Sequence, residues 1–178
     1  GKWEKKAYGK GFELGGKTLG IIGFGRIGQA LGRMAKGIGM EVIAQDIFHV
    51  PGIEEQMGMK YVELDELLAK ADFISLHTPS LNGVKLICKE NIVKMKDGVV
   101  FINTSRGDNV NEEDLLEALN SGKIRAAGLD VYAEEPPMNK ALIDHPNVSC
   151  TPHIGAATKE AQKRIGAEIV DIIENFGK

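Results

Sequence analysis

Apolar positions along this chain follow two alternating periods. Segments of five or six residues built around short apolar runs have the pattern of buried strands, and between them apolar residues recur at three- and four-residue intervals, the pattern of helices with one buried stripe. The strand-like runs fall at 18–22, 41–46, 72–77, 99–104, 126–131 and 147–151. Helical spacing falls at 29–39, 63–71 and 89–96. A further helix is predicted to start at Asn111-Glu-Glu-Asp114, where a capping side chain and three acids meet the positive end of the helix dipole; Leu115, Leu116 and Leu119 form its apolar face and Gly122 ends it. From Thr158 onward Ala161, Ile165, Ile169, Ile172 and Phe176 make one helical stripe. The alternation predicts an α/β domain, a doubly wound parallel sheet with helices on both faces, over 1–178 with 1–16 as a lead-in. In such sheets ligands bind beyond the carboxyl ends of the strands.

The first strand-like run ends in Gly23, Gly25 and Gly28, the G-x-G-x-x-G spacing of a Rossmann-type turn. The first glycine permits a tight turn, the second lets backbone approach a pyrophosphate, and the third lets the following helix pack closely on the strand. The helix N-terminus then presents unpaired N–H groups to the phosphates. Asp46 stands 18 positions past Gly28, at the end of the second strand-like run. A carboxylate there accepts from both hydroxyls of an adenosine ribose and repels a 2′-phosphate. Ile47 and Phe48 supply no cation for such a phosphate, so NAD is predicted as the cofactor rather than NADP.

Composition narrows the function classes. With 178 residues, 43% hydrophobic, and no long apolar run, the chain reads as a soluble globular domain. A net charge of −3 without a basic block excludes nucleic acid and anionic membrane as expected partners. The basic opening GKWEKKAYGKGFELGGK lacks the apolar centre of a secretory signal. Cys88 and Cys150 fit no disulfide framework and read as reduced thiols of a cytoplasmic protein. His49, His77, His145 and His153 have no metal-ligand spacing, and no metal is expected.

The remaining chemistry gathers at predicted strand ends: Thr78-Pro79, Asn103-Thr-Ser-Arg-Gly107, Asp130 with Glu134-Glu-Pro-Pro137, and Thr151-Pro-His-Ile-Gly155. Oxidising an alcohol with a nicotinamide needs a base for the hydroxyl proton and a cation that orients the substrate. His153 is the candidate base, because imidazole titrates nearest neutrality. Glu135 is the acid able to hold its ring, and Arg106 the cation able to grip a carboxylate through two parallel bonds. A solvated turn contains the same residue types; the joint pattern gives them weight.

The segments GKTLGIIGFGRIG, SLHTPS, INTSRGDNVNEEDLLEAL, AAGLDVYAEEPP and NVSCTPHIGAATKEAQ, in this order and spacing, resemble the D-2-hydroxyacid dehydrogenases over most of 15–165. The resemblance implies hydride transfer between substrate C2 and nicotinamide C4, with His153 exchanging the hydroxyl proton, Glu135 paired to it and Arg106 binding substrate. It further implies that Arg26 and Ile27 contact pyrophosphate through their backbone, and that Asp46 holds the ribose. Thr78 would contact the cofactor, Thr104 and Arg106 would flank the nicotinamide, and Asp130 would bond its carboxamide. His153, Gly155 and Ala156 would close the nicotinamide side. Within the family, segment 141–169 is similar to the members that oxidise 3-phosphoglycerate in serine biosynthesis. Hydroxypyruvate or glyoxylate reductases are the nearest alternative, and NAD(H)-sensing corepressors of the same fold a third. The resemblance also implies a substrate-binding domain in family members, and the expectation is that this chain is an excised cofactor domain without it that binds NAD with little turnover. Dimerisation in the family implies a homodimer through this domain.

Overall fold

The computed structural model describes residues 3, 5–9 and 11–177. After a short α1 (Lys5–Tyr8), the chain runs β1 (Thr18–Ile22), α2 (Arg26–Gly37), β2 (Glu41–Gln45), α3 (Ile53–Met57), β3 (Lys60–Tyr61), α4 (Leu64–Lys70) and β4 (Phe73–Leu76). It continues through α5 (Lys89–Ile92), β5 (Val99–Asn103), a 3-10 turn (Gly107–Asn109), α6 (Glu112–Ser121), β6 (Ile124–Leu129), α7 (Lys140–Ile143), β7 (Val148–Cys150) and α8 (Lys159–Asn175). The seven strands are all parallel and ordered β3-β2-β1-β4-β5-β6-β7, the doubly wound α/β arrangement expected.

Successive residues of a strand face opposite sides of the sheet, and on β1 the two sides feed two cores. Leu19 and Ile21 join Phe24, Ala35, Met40, Val42 and Ala44. Ile22 joins Leu67, Ile74, Leu76, Phe101 and Leu115 on the other face. Because both faces are covered, β1 and β4 are buried on successive residues rather than on alternate ones. The strand order reverses between β1 and β4, which opens a crevice at their carboxyl ends.

α6 forms as its sequence predicts: Asn111 Oδ1 accepts from Glu113 N at 3.1 Å and Asp114 N at 3.3 Å, and Gly122 closes the helix at φ 77°. Elsewhere the boundaries move. α2 begins at Arg26, three residues before the apolar spacing starts, because its first turn exposes Arg26 and Ile27 and buries Gly28, which has no side chain to register. β6 begins at Ile124 rather than at 126. The charged Arg125 interrupts the apolar run, yet its guanidinium lies 4.5 Å over the Phe12 ring. α3, β3 and α7 were not expected, being too short for periodicity to reveal. α8 forms from its predicted stripe, but the stripe stays exposed, from Ile165 (43%) to Phe176 (88%). Amphipathic spacing specifies a helix without specifying what covers it.

The 3-10 turn after β5 lies flush on the segment after β6: a Cβ on Gly107 would overlap the Tyr132 backbone carbonyl. Gly107→Ala is therefore expected to destabilise the fold by about 2–3 kcal/mol, seen as a lower urea midpoint at unchanged slope. Gly37→Ala, with nothing within 4 Å of the added carbon, is expected to change stability by less than about 0.5 kcal/mol.

Candidate functional site

At the β1–α2 turn the fold demands glycine at Gly23 and Gly28 and leaves open space at Gly25. Gly23 adopts φ 91°, donates its N–H to Gln45 O at 2.9 Å, and has no room for a Cβ, which would sit 2.7 Å from the His77 carbonyl. Gly28 packs so that a Cβ would overlap Gly23 O. Gly25 caps α2 with extended backbone and no side-chain bond, and a Cβ there would meet nothing within 4 Å. The space in front of the helix is open, and the first N–H groups of α2, on exposed Arg26 and Ile27, lack intrahelical acceptors. This is a cradle for a diphosphate.

Asp46, just past β2, is tied over this turn: Oδ2 accepts from Phe24 N at 2.5 Å and Oδ1 from Phe48 N at 2.9 Å. A carboxylate offers about four acceptor sites, so both oxygens retain capacity for a diol. Ile47 and Phe48 beside it are exposed and apolar. The glycine cradle and the oriented carboxylate together fit NAD.

The loops after β4 and β5 carry Thr78, Thr104 and Arg106. Thr78 is half-buried, and its Oγ1 accepts from Asn109 Nδ2 at 3.0 Å. Thr104 and Arg106 are exposed on a turn closed by buried Asn103, whose Nδ2 donates to Arg106 O at 2.9 Å while its Oδ1 accepts from Ser105 N and Ser105 Oγ at 3.0 Å. The Arg106 guanidinium donates to Ser105 O at 2.6 Å.

At the ends of β6 and β7 the geometry is tightest. Asp130, buried, takes three donors from the loop after β7: Thr151 Oγ1 at 2.6 Å and Ile154 N at 2.9 Å on Oδ1, and Gly155 N at 2.9 Å on Oδ2. Burial pushes its carboxyl up, but bonds from Thr151, Ile154 and Gly155 and the nearby His153 imidazole outweigh burial and hold it below the ordinary carboxylate value. Asp130 thus anchors the loop that carries His153, Gly155 and exposed Ala156. His153 sits in left-handed backbone at φ 53°, and its Nδ1 lies 2.8 Å from Glu135 Oε2. The bond to His153 lowers the Glu135 carboxyl below its usual range. With Nδ1–H donating to Glu135, Nε2 is left as the acceptor. The Glu135 loop is held from below by Ala133 N donating to Glu112 Oε1 at 2.8 Å and by the Tyr132 hydroxyl, 2.9 Å from Thr151 O.

The structure therefore brings the predicted residues to one edge of the sheet, and joins Glu135 to His153 directly. Asn103, Asn109, Glu112, Tyr132 and Thr151 support them without being candidate site residues themselves. Their partners lie up to 31 residues away, beyond the reach of a local pattern, although each of them stands in one of the segments that carry the family resemblance. Among the described residues no cluster of metal-ligating side chains occurs, and no helix is long and apolar enough to cross a membrane. A 700 Å³ cavity between Thr18, Lys60 and Lys70 is lined by none of the candidate residues.

Comparison with known proteins gives a consistent assignment. The family described as D-isomer specific 2-hydroxyacid dehydrogenase, NAD binding domain, matches residues 1–155. The chain is 50% identical over 177 residues to a hydroxypyruvate reductase of Thermotoga maritima, covering 97% of this chain and 56% of that protein. It is 45% identical over 176 residues to a D-3-phosphoglycerate dehydrogenase of Methanocaldococcus jannaschii, covering 98% and 33%. A solved D-lactate dehydrogenase with NAD+ from Lactobacillus jensenii superposes with a TM-score of 0.83 at 36% identity, over 91% of this chain and 53% of that one. The chain thus spans between a third and somewhat over half of the length of these proteins.

Asp130 carries a pH signature. Its folded carboxyl titrates below the unfolded value near 3.9, so its bonds stabilise the fold above that value and the contribution fades as pH falls through the lower folded value. Asp130→Asn is expected to cost about 1–3 kcal/mol at pH 7. It should also flatten the loss of stability between roughly pH 5 and pH 2, measured by urea unfolding across that range; an unchanged slope would contradict the assignment.

Proposed function

This chain belongs to the D-isomer-specific 2-hydroxyacid dehydrogenases through their NAD-binding domain, and we propose that it is the cofactor half of an enzyme oxidising a D-2-hydroxy acid at C2. The observation that carries this reading is the Glu135–His153 pair, 2.8 Å apart, on the same sheet edge as the glycine cradle. When bound, NAD supplies the hydride acceptor. The chain's own residues do the rest. N–H groups at the start of α2 hold the pyrophosphate, and Asp46 accepts from the adenosine ribose. Arg106 grips the substrate carboxylate as a fork, which orients C2. His153 Nε2 takes the hydroxyl proton, and Glu135 fixes the ring and stabilises the imidazolium that results. In the reducing direction the same imidazolium returns the proton to the keto oxygen.

For the substrate we favour 3-phosphoglycerate, oxidised to 3-phosphohydroxypyruvate in serine biosynthesis, on the likeness of segment 141–169. A hydroxypyruvate or glyoxylate reductase is the second reading, favoured by the 50% identity to the Thermotoga maritima protein. Residues 1–178 act as one cofactor domain in a cytoplasmic homodimer, with walls from a substrate-binding domain needed to exclude water. Alone, the chain binds NAD and turns over slowly.

Calorimetry is expected to give binding of NAD by the chain, weaker binding of NADP, and roughly 10- to 100-fold weaker NAD binding by Asp46→Ala. Equal affinity for both dinucleotides would sink the ribose assignment. With NAD and 3-phosphoglycerate, glycerate or glycolate, the substrate oxidised fastest identifies the reaction. His153→Gln is expected to lower that rate by about 10²- to 10⁴-fold while NAD affinity stays within about twofold.

A further inference from the structure

Asn109 is a buried polar side chain that the reaction outlined above leaves without a role. It lies in the 3-10 turn after β5 and is fully buried. Its amide is spent on a single loop, the one after β4: Nδ2 donates to Thr78 Oγ1 at 3.0 Å and to Pro79 O at 2.7 Å, and Oδ1 accepts from Leu81 N at 3.0 Å. Neighbouring bonds reinforce the join. The Ser80 hydroxyl bonds the Asp108 carboxylate, Lys85 Nζ donates to Asp108 O at 2.8 Å, and Ile87 N donates to Asn109 O at 3.0 Å. The loop bearing Thr78 and the turn bearing Arg106 are one stitched unit, centred on Asn109.

We propose that Asn109 is a positioning residue for cofactor binding, acting through Thr78; the proposal rests on the NAD-binding reading above. A hydroxyl has one donor and two acceptor sites. An amide N–H already directed at Thr78 Oγ1 leaves the Thr78 O–H to donate elsewhere, toward the cofactor crevice between β1 and β4. Holding 78–81 against the turn also sets the spacing between this hydroxyl and the Arg106 guanidinium. The donor and acceptor set explains the residue type. Aspartate keeps the acceptor for Leu81 N but loses both donors, and leucine loses all three bonds.

The test is calorimetric titration of NAD into the wild-type chain, Asn109→Asp, Thr78→Val and the double variant. Both single variants are expected to bind NAD at least fivefold more weakly, and the double variant no more weakly than the worse single, because both changes remove one hydroxyl's orientation. Wild-type affinity in Asn109→Asp overturns the proposal, as do losses that add in the double variant, since additivity means that Asn109 does not act through Thr78. Should Asn109→Asp fail to fold, amide exchange in the wild-type chain decides. The Leu81 N–H, whose acceptor is Asn109 Oδ1, is expected to exchange more slowly once NAD is added, and unchanged exchange overturns the proposal. A folded wild-type chain that does not bind NAD overturns the functional reading and this proposal together, whereas NAD binding that is indifferent to Asn109→Asp overturns this proposal alone.

Discussion

The close approach of Gly23 to the backbone following β4 is the contact on which the site depends. With a Cβ at that position the first turn would strike the His77 carbonyl, and the carboxyl ends of β1 and β4 would be pushed apart. Those two strands lie where the sheet reverses its order. Their packing therefore sets the crevice, and the crevice sets where the open N-terminus of α2 points. Two further candidate residues are placed from here: Asp46 bonds Phe24 N inside the turn, and Thr78 follows the backbone segment that Gly23 touches.

Three carboxylates on the same edge do three different jobs because their partners differ. Asp46 spends one bond on each oxygen and stays partly exposed, so it remains an acceptor for a ligand. Asp130 is buried and takes three donors from one loop, so it acts as a peg. Glu135 is exposed and bonds an imidazole nitrogen, so it fixes the orientation of that ring. The ordering of the edge follows from backbone N–H groups being directed at carboxylates, which costs less than burying an unpaired charge. His153 itself is held in left-handed backbone, a conformation that persists only where its surroundings over-determine it. Here the surroundings are Asp130 on the following two residues and Glu135 on the ring.

Much of this was legible in the residues. Alternating periods named the fold class, because strands covered on both faces and helices covered on one leave different apolar spacings. The glycine triplet with Asp46, and the Arg106, Glu135 and His153 positions, are legible as joint patterns at strand ends, where each residue type alone is common. Helix α2 starts three residues before its apolar spacing does, because Gly28 contributes burial without a side chain. Elements as short as α3, β3 and α7 were invisible because a period cannot be read from one turn or two residues.

What the sequence by itself determined was the set of local preferences: which runs are strands, which stripes are helices, where a dinucleotide turn starts and which side chains carry protons or charge. Only the tertiary structure decided which of these meet. Asn109 reaches Thr78 across 31 residues and Asp130 reaches Gly155 across 25, because parallel strands bring successive crossovers back to the same edge whatever lies between them. The exposed stripe of α8 is the converse case. Its apolar residues recur at helical spacing as those of a buried helix do, but burial is a property of two surfaces, and one surface alone cannot specify it.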